Sequence, residues 1–200
     1  MKKTILLACF IFGTLGAYCQ TTWNLKAGAG LASLKGGSDD GEMSNSIAAK
    51  IGLGMEIPLN RNLNLMPSLE FAMKGGKWSN DDFYSISHEE TFTAFYAQIP
   101  VLLGYRIYLG KNWNMVLKAG PYVAYGLFGK AKIENSYYSE SGDFFGDTGF
   151  SRFDYGVEVG IDFECRRFVI GFDIEKGLRE HEVGKCIKQD ATFINIGFKL

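Results

Sequence analysis

Apolar and polar residues alternate with a period of two along most of the chain, and each stretch of alternation reads as an extended strand with one greasy and one polar face. Over residues 23–34, Trp23, Leu25, Ala27, Ala29 and Leu31 oppose Asn24, Lys26, Gly28 and Gly30. The second stretch, 47–57, sets Ile47, Ala49, Ile51, Leu53, Met55 and Ile57 against Lys50, Gly52, Gly54 and Glu56. In the third, Leu63, Leu65, Pro67, Leu69, Phe71 and Met73 oppose Asn64, Ser68, Glu70 and Lys74. A fourth, 91–109, places Phe95, Ile99, Val101, Leu103, Tyr105 and Ile107 opposite Gln98, Gly104 and Arg106. The fifth begins at Trp113, with Met115, Leu117, Ala119, Val123 and Tyr125 against Asn114, Lys118 and Gly120. In the sixth, Phe153, Tyr155, Val157, Val159, Ile161 and Phe163 alternate with Arg152, Asp154, Gly156, Glu158, Gly160 and Asp162. Phe168, Ile170, Phe172 and Ile174 against Gly171, Asp173 and Glu175 make the seventh, and Ile194, Ile196, Phe198 and Leu200 against Asn195, Gly197 and Lys199 the eighth.

The connections alternate too. Short turns follow strands two, four and six, and long polar segments, 35–46, 75–90, 127–149 and 178–190, follow strands one, three, five and seven. An even strand count with short turns at one end and long loops at the other is the layout of a transmembrane barrel. Strands of about 9 to 11 residues suffice to cross the bilayer when tilted, and Trp23, Trp113, Tyr105 and Phe168 lie near strand ends, where interfacial aromatic girdles sit. The expected fold is therefore all-β, an eight-stranded antiparallel up-and-down transmembrane β-barrel.

Composition agrees. Glycine numbers 25 and proline 4 in 200 residues, with 16 Phe and 10 Tyr, which suits closely packed antiparallel strands. A formal net charge of −1 offers no basic field for a phosphate backbone, so a nucleic-acid partner is not expected. Lys2-Lys3, an apolar run from Ile5 to Leu15 and the small residues Gly16-Ala17 have the layout of a secretory signal. Cleavage is expected after Ala17-Tyr18-Cys19, which makes 1–19 the signal and 20–200 the barrel domain. Acylation of Cys19 would call for a small residue where Tyr18 stands. Of the remaining cysteines, Cys165 and Cys186 are expected at opposite ends of one strand. Residues 167–177 span about 35 Å when extended, against the roughly 7 Å a disulfide tolerates, so both are expected as free thiols. Two cysteines and two histidines match no zinc spacing, and neither a metal nor a cofactor is expected.

The polar faces decide what kind of barrel this is. They carry Lys26, Lys50, Lys74, Arg106, Lys118, Arg152 and Lys199 against Glu56, Glu70, Asp154, Glu158, Asp162, Asp173 and Glu175. In an eight-stranded barrel the interior is just filled by side chains, so this balanced set is expected to pair across the lumen and plug it. The alternative is a soluble, lipocalin-like barrel that turns these charges to water and holds an apolar ligand inside. A small barrel enzyme acting on lipid or peptide is a further alternative. His88, near Ser85, Ser87, Glu89 and Glu90, and His181, between Glu180 and Glu182, are its candidate bases, although such residues co-occur in solvated loops by chance. Asp39-Asp40-Gly41-Glu42 and Asp81-Asp82 lack the regular oxygen-ligand spacing of a calcium site. Tyr137-Tyr138, Phe144-Phe145 and Phe150 read either as a surface-binding patch or as an extension of the hairpin above the membrane.

The run Phe95-Tyr-Ala-Gln-Ile-Pro-Val-Leu-Leu-Gly-Tyr-Arg-Ile, followed by Leu117-Lys-Ala-Gly-Pro-Tyr-Val-Ala-Tyr-Gly-Leu, resembles the central strand pair of the PorT-like outer-membrane β-barrel family of Bacteroidetes. Arg152-Phe-Asp-Tyr-Gly-Val-Glu-Val-Gly and Glu175-Lys-Gly-Leu resemble its sixth and seventh strands, with Gln98 where that family often has Glu. The resemblance implies an integral outer-membrane barrel, in contact with outer-membrane lipid. It also implies insertion by the barrel-assembly machinery, for which the terminal Phe198-Lys199-Leu200 is a recognition signal. The founding member serves protein secretion, so secretion-system or surface proteins become candidate partners. No catalytic motif travels with the family, and the expectation is a noncatalytic protein of envelope structure, surface interaction or secretion.

Overall fold

The computed structural model describes residues 21–35, 42–80, 88–135, 138–143, 145, 151–179 and 188–200. Ten strands form one antiparallel sheet: β1 (Thr22–Lys35), β2 (Glu42–Ser44), β3 (Ser46–Pro58), β4 (Leu63–Asn80), β5 (His88–Tyr108), β6 (Trp113–Asn135), β7 (Tyr138–Asp143), β8 (Phe153–Cys165), β9 (Phe168–Gly177) and β10 (Lys188–Lys199). The hydrogen-bonded order β4-β3-β1-β10-β9-β8-β6-β5 returns to β4 through a β4–β5 ladder, so the sheet closes. These are the eight staves of a barrel, and β1 and β10 meet along a ladder from Asn24↔Lys199 to Lys35↔Lys188. The other two strands extend the wall at one end: β2 pairs with β4 in line with β3, and β7 pairs with β6 above the start of β8. Closure is what makes such a structure viable in lipid, where an open edge would leave backbone donors and acceptors without partners.

The two faces are inverted relative to a soluble protein. Ile47, Ile196 and Phe168 are 74%, 66% and 66% exposed on the outer wall, whereas Glu175, Glu158 and Lys74 are 0%, 1% and 1% exposed within. A barrel that carries an apolar ligand in water requires the opposite arrangement, so the soluble alternative is excluded. Between Trp113 and Tyr125 on β6, both outward and half-exposed, the strand runs about 40 Å, or about 30 Å along the membrane normal at a tilt near 40°. That matches the apolar band of such barrels. Trp23, Tyr105, Trp113 and Phe168 face outward at the short-turn end, and a Phe71, Phe95 and Phe128 stack lies toward the other, with Phe95 and Phe128 centroids 4.6 Å apart.

The short turns occupy residues 59–62, 109–112 and 166–167, as the alternation predicts. The long connections do not stay loops. Residues 75–80 and 88–90 continue the β4–β5 ladder, 127–135 and 138–143 form a hairpin, and 188–193 belong to β10. Beyond Leu127 and Phe128 the sequence of these extensions no longer alternates apolar with polar residues, because they rise above the hydrocarbon, while the backbone ladder continues. At the upper rim the register of β5 on β6 shifts between Phe95 and Tyr96, so that Leu127 and Phe128 both face outward. This bulge flips the parity of β6, and a strict two-residue period cannot be followed past Tyr125. Residues 1–19, the acidic runs 39–41 and 81–82, His181 and Cys186 lie outside the described residues, while Cys165 is a free, half-buried thiol.

Candidate functional site

Inward positions of every stave converge on the lumen, and there the charges meet. At the short-turn end, Glu56, Arg106, Glu164 and Lys199 alternate in sign around a ring. Arg106 Nη2 lies 2.5 Å from Glu56 and 3.2 Å from Glu164, and Lys199 Nζ lies 2.8 Å from Glu56 and 2.7 Å from Glu164. Asn114 donates to the same Glu164.

The middle of the barrel is a chain of bridges. Lys26 and Lys118 flank Asp162 at 2.7 and 2.9 Å, and Lys118 continues to Asp173 at 2.7 Å. Lys50 reaches Asp173 at 3.1 Å, Glu175 at 3.0 Å, Glu70 at 3.5 Å and Glu158 at 3.7 Å, and Lys74 reaches Glu175 at 2.6 Å. Neutral side chains complete it: Asn195 donates to Asp173, and Gln98 accepts from Lys74. In a low-dielectric interior such charges hold only when paired, because each lone ion carries a desolvation penalty of several kcal/mol. Glycines make room for them; a Cβ at Gly160 would intrude on the Asp173 carboxylate and the Lys118 stem.

Above the ions the lumen turns aromatic. Tyr122 donates to Asp154, the Lys74 ammonium lies 4.9 Å from the Tyr122 ring centroid, and Lys50 lies 4.7 Å from that of Phe193. Phe145 closes this end, edge-on to Tyr96 at 5.8 Å and packed with Ala94, Tyr122 and Ala124. Its ring occupies the space a side chain at Gly126 would take, so glycine is required there. Phe145 is thus buried rather than part of an outer patch. Tyr137, Phe144 and Phe150 are outside the described residues, and Tyr138 is placed only as backbone of β7.

Thirteen of the fourteen expected lumen charges enter this interior. Arg152 does not join it. It is half-buried at the upper rim, where it donates to the carbonyls of Gly126 at 3.4 Å and Leu127 at 3.0 Å and stands over the Phe145 ring at 5.2 Å. The bulge disturbs the ladder at those carbonyls, and a guanidinium beside them takes their hydrogen bonds. Glu164 was not among the expected charges. It continues the inward series Glu158, Gly160, Asp162, and the signal was the parity itself, masked because Cys165 is a weak apolar neighbour. Among the described residues the interior therefore holds eight carboxylates and six bases.

Among the described residues one group has a metal-like arrangement: carboxylate oxygens of Glu70, Glu158 and Glu175 lie within 4.8 Å of one another. The Lys50 ammonium stands against all three, supplying the positive charge that a cation would. His88 is placed as backbone opposite Asn80 at the start of β5.

The sequence matches the family model described as outer membrane protein beta-barrel domain over residues 20–181. No curated protein matches it. Similar solved structures include Ail, the attachment invasion locus protein of Yersinia pestis, 12% identical over 90% of this chain and 98% of that one, with a TM-score of 0.40. Neisserial surface protein A is 10% identical over 89% and 97%, with a TM-score of 0.41. The outer membrane enzyme PagL is 9% identical over 88% and 98%, with a TM-score of 0.46.

Proposed function

The chain belongs to the outer membrane protein β-barrel domain family, and from that premise we propose that this outer-membrane barrel is a noncatalytic envelope protein that works through its two ends rather than through a pore or a reaction. One observation carries this reading. Bridges such as Lys26–Asp162, Lys50–Glu175 and Lys118–Asp173 join residues far apart in sequence across the lumen and fill it with paired side chains. Ions crossing the barrel would have to break that lattice, and the carboxylates are held by bases rather than presented to a substrate. The wall of β4, β5, β6 and β7, prolonged above the apolar band, is the surface offered to a partner. In the role implied by the PorT-like resemblance, that partner is a secretion-system or surface protein. Export by a signal peptide cleaved before Gln20 belongs to the same reading, and the mass of the mature protein checks it.

The test is conductance of the purified, refolded protein in a planar bilayer. No discrete steps are expected at neutral pH; reproducible ohmic steps would show an open lumen and overturn the reading.

A further inference from the structure

We propose that the short-turn end of the barrel carries a site for one anionic glycerophospholipid, with Arg166 and Arg167 taking the phosphate and the wall of β1, β9 and β10 taking an acyl chain. A groove of about 480 Å³ lies at the β8–β9 turn beside Asn112, Trp113, Arg166, Arg167 and Phe198. It shares Phe168 and Phe198 with a second groove of about 550 Å³ that climbs the outer wall past Leu25, Ala27, Ile170 and Ile196. The trough exists because Ala27 stands between larger neighbours, Ile51 and Ile196, in the ladders on either side. A cationic mouth opening into an apolar channel matches a molecule with an anionic head and a hydrocarbon tail.

Three independent features favour that occupant. First, the turns 59–62, 109–112 and 166–167 carry Arg61, Lys111, Arg166 and Arg167 and no acid, whereas 35–46, 75–90, 127–149 and 178–190 carry fourteen acids against seven bases. The short-turn end faces the periplasmic leaflet, so the basic charge lies at the level of phospholipid headgroups. Second, Arg166 and Arg167 are exposed, and among the described residues neither forms an ion pair, so both forks are available for phosphate oxygens. Third, Arg166 has φ 56°, the one non-glycine residue with positive φ among those described. Hairpin turns with this backbone favour Gly or Asn. An arginine there costs stability and supplies a guanidinium. The turn is also fixed: Arg166 N–H donates to the Asn112 carbonyl at 3.1 Å, and the Arg167 carbonyl accepts from Lys199 N–H at 2.8 Å.

Trp113 lines the mouth and reports on it. The protein is reconstituted in phosphatidylcholine bilayers containing a few mole per cent of brominated phosphatidylglycerol or brominated phosphatidylcholine, with W23F/W78F leaving Trp113 as the reporter. The expected result is about a tenfold enrichment of the anionic lipid at Trp113, lost in R166G and in R167Q. R166G is further expected to raise the unfolding midpoint, since glycine relieves the turn. Native mass spectrometry of phospholipid retained by the protein with all its tryptophans, with and without R166G, reads the same site if W23F/W78F fails to fold. Equal quenching by both lipids, a preference unchanged in both arginine variants, or full displacement by soluble glycerol phosphate would each overturn the proposal.

Discussion

Lys50 is nearly enclosed, with four carboxylates within 3.7 Å of its ammonium, and that makes its neighbours depend on it. Replacing it with methionine strands buried charge, and K50M is expected to lower stability by about 3–5 kcal/mol, read as the shift of the urea midpoint in bilayers or detergent. Glu158 is the contrasting case. Its nearest base is Lys50 at 3.7 Å, it stands beside Glu70 and Glu175, and its Oε2 has no hydrogen-bond partner. Because it adds negative charge where acids already outnumber bases, E158Q is expected to be neutral or stabilising in the same measurement. A loss comparable to K50M would show that the lattice is not organised around Lys50. Thirteen of these inward charges were legible because parity alone assigns the face of a strand residue. Which partner each would find was not, since the bridges join staves whose relative register is set by the whole ladder.

The strands themselves were legible where lipid enforces contrast and illegible above it. In β8 the inward and outward positions alternate from Phe153 to Phe163, and the sequence places its ends within two residues. In β6 the alternation stops at Tyr125 although the strand runs to Asn135, because the bulge at Leu127 flips parity and water tolerates any residue beyond it. Arg152 marks the place. R152A is expected to cost about 1 kcal/mol through the carbonyls of Gly126 and Leu127, measured as a lowered unfolding midpoint. Beyond the bulge the extension pairs with β5 and β7 alone, since β8 pairs with β6 from Trp113 to Tyr125. Because this part lies outside the apolar band, replacing residues 130–143 with a short Gly-Ser link is expected to leave the barrel folded, with a midpoint close to the parent's, while abolishing any partner binding by the prolonged wall. A variant that no longer folds would show that the hairpin is part of the barrel's stability.

Closure of β1 on β10 turns eight amphipathic staves into an object with two surfaces, an apolar wall and an ionic core, and both follow from one alternation. The wall suits a bilayer, and the core fills the lumen with paired charges. What remains outside the reach of alternation lies at the two ends, in the acidic upper segments and the basic turns, where function must be read from charge and shape. Whether this chain is a closed barrel held by an uninterrupted ring of backbone hydrogen bonds is tested by electrophoresis of the detergent-extracted outer-membrane fraction in SDS with and without boiling. Such rings commonly resist SDS until heated. A heat-dependent change in migration of the band in that fraction is the expected result, whereas identical migration, with the protein recovered in the soluble fraction, would contradict it.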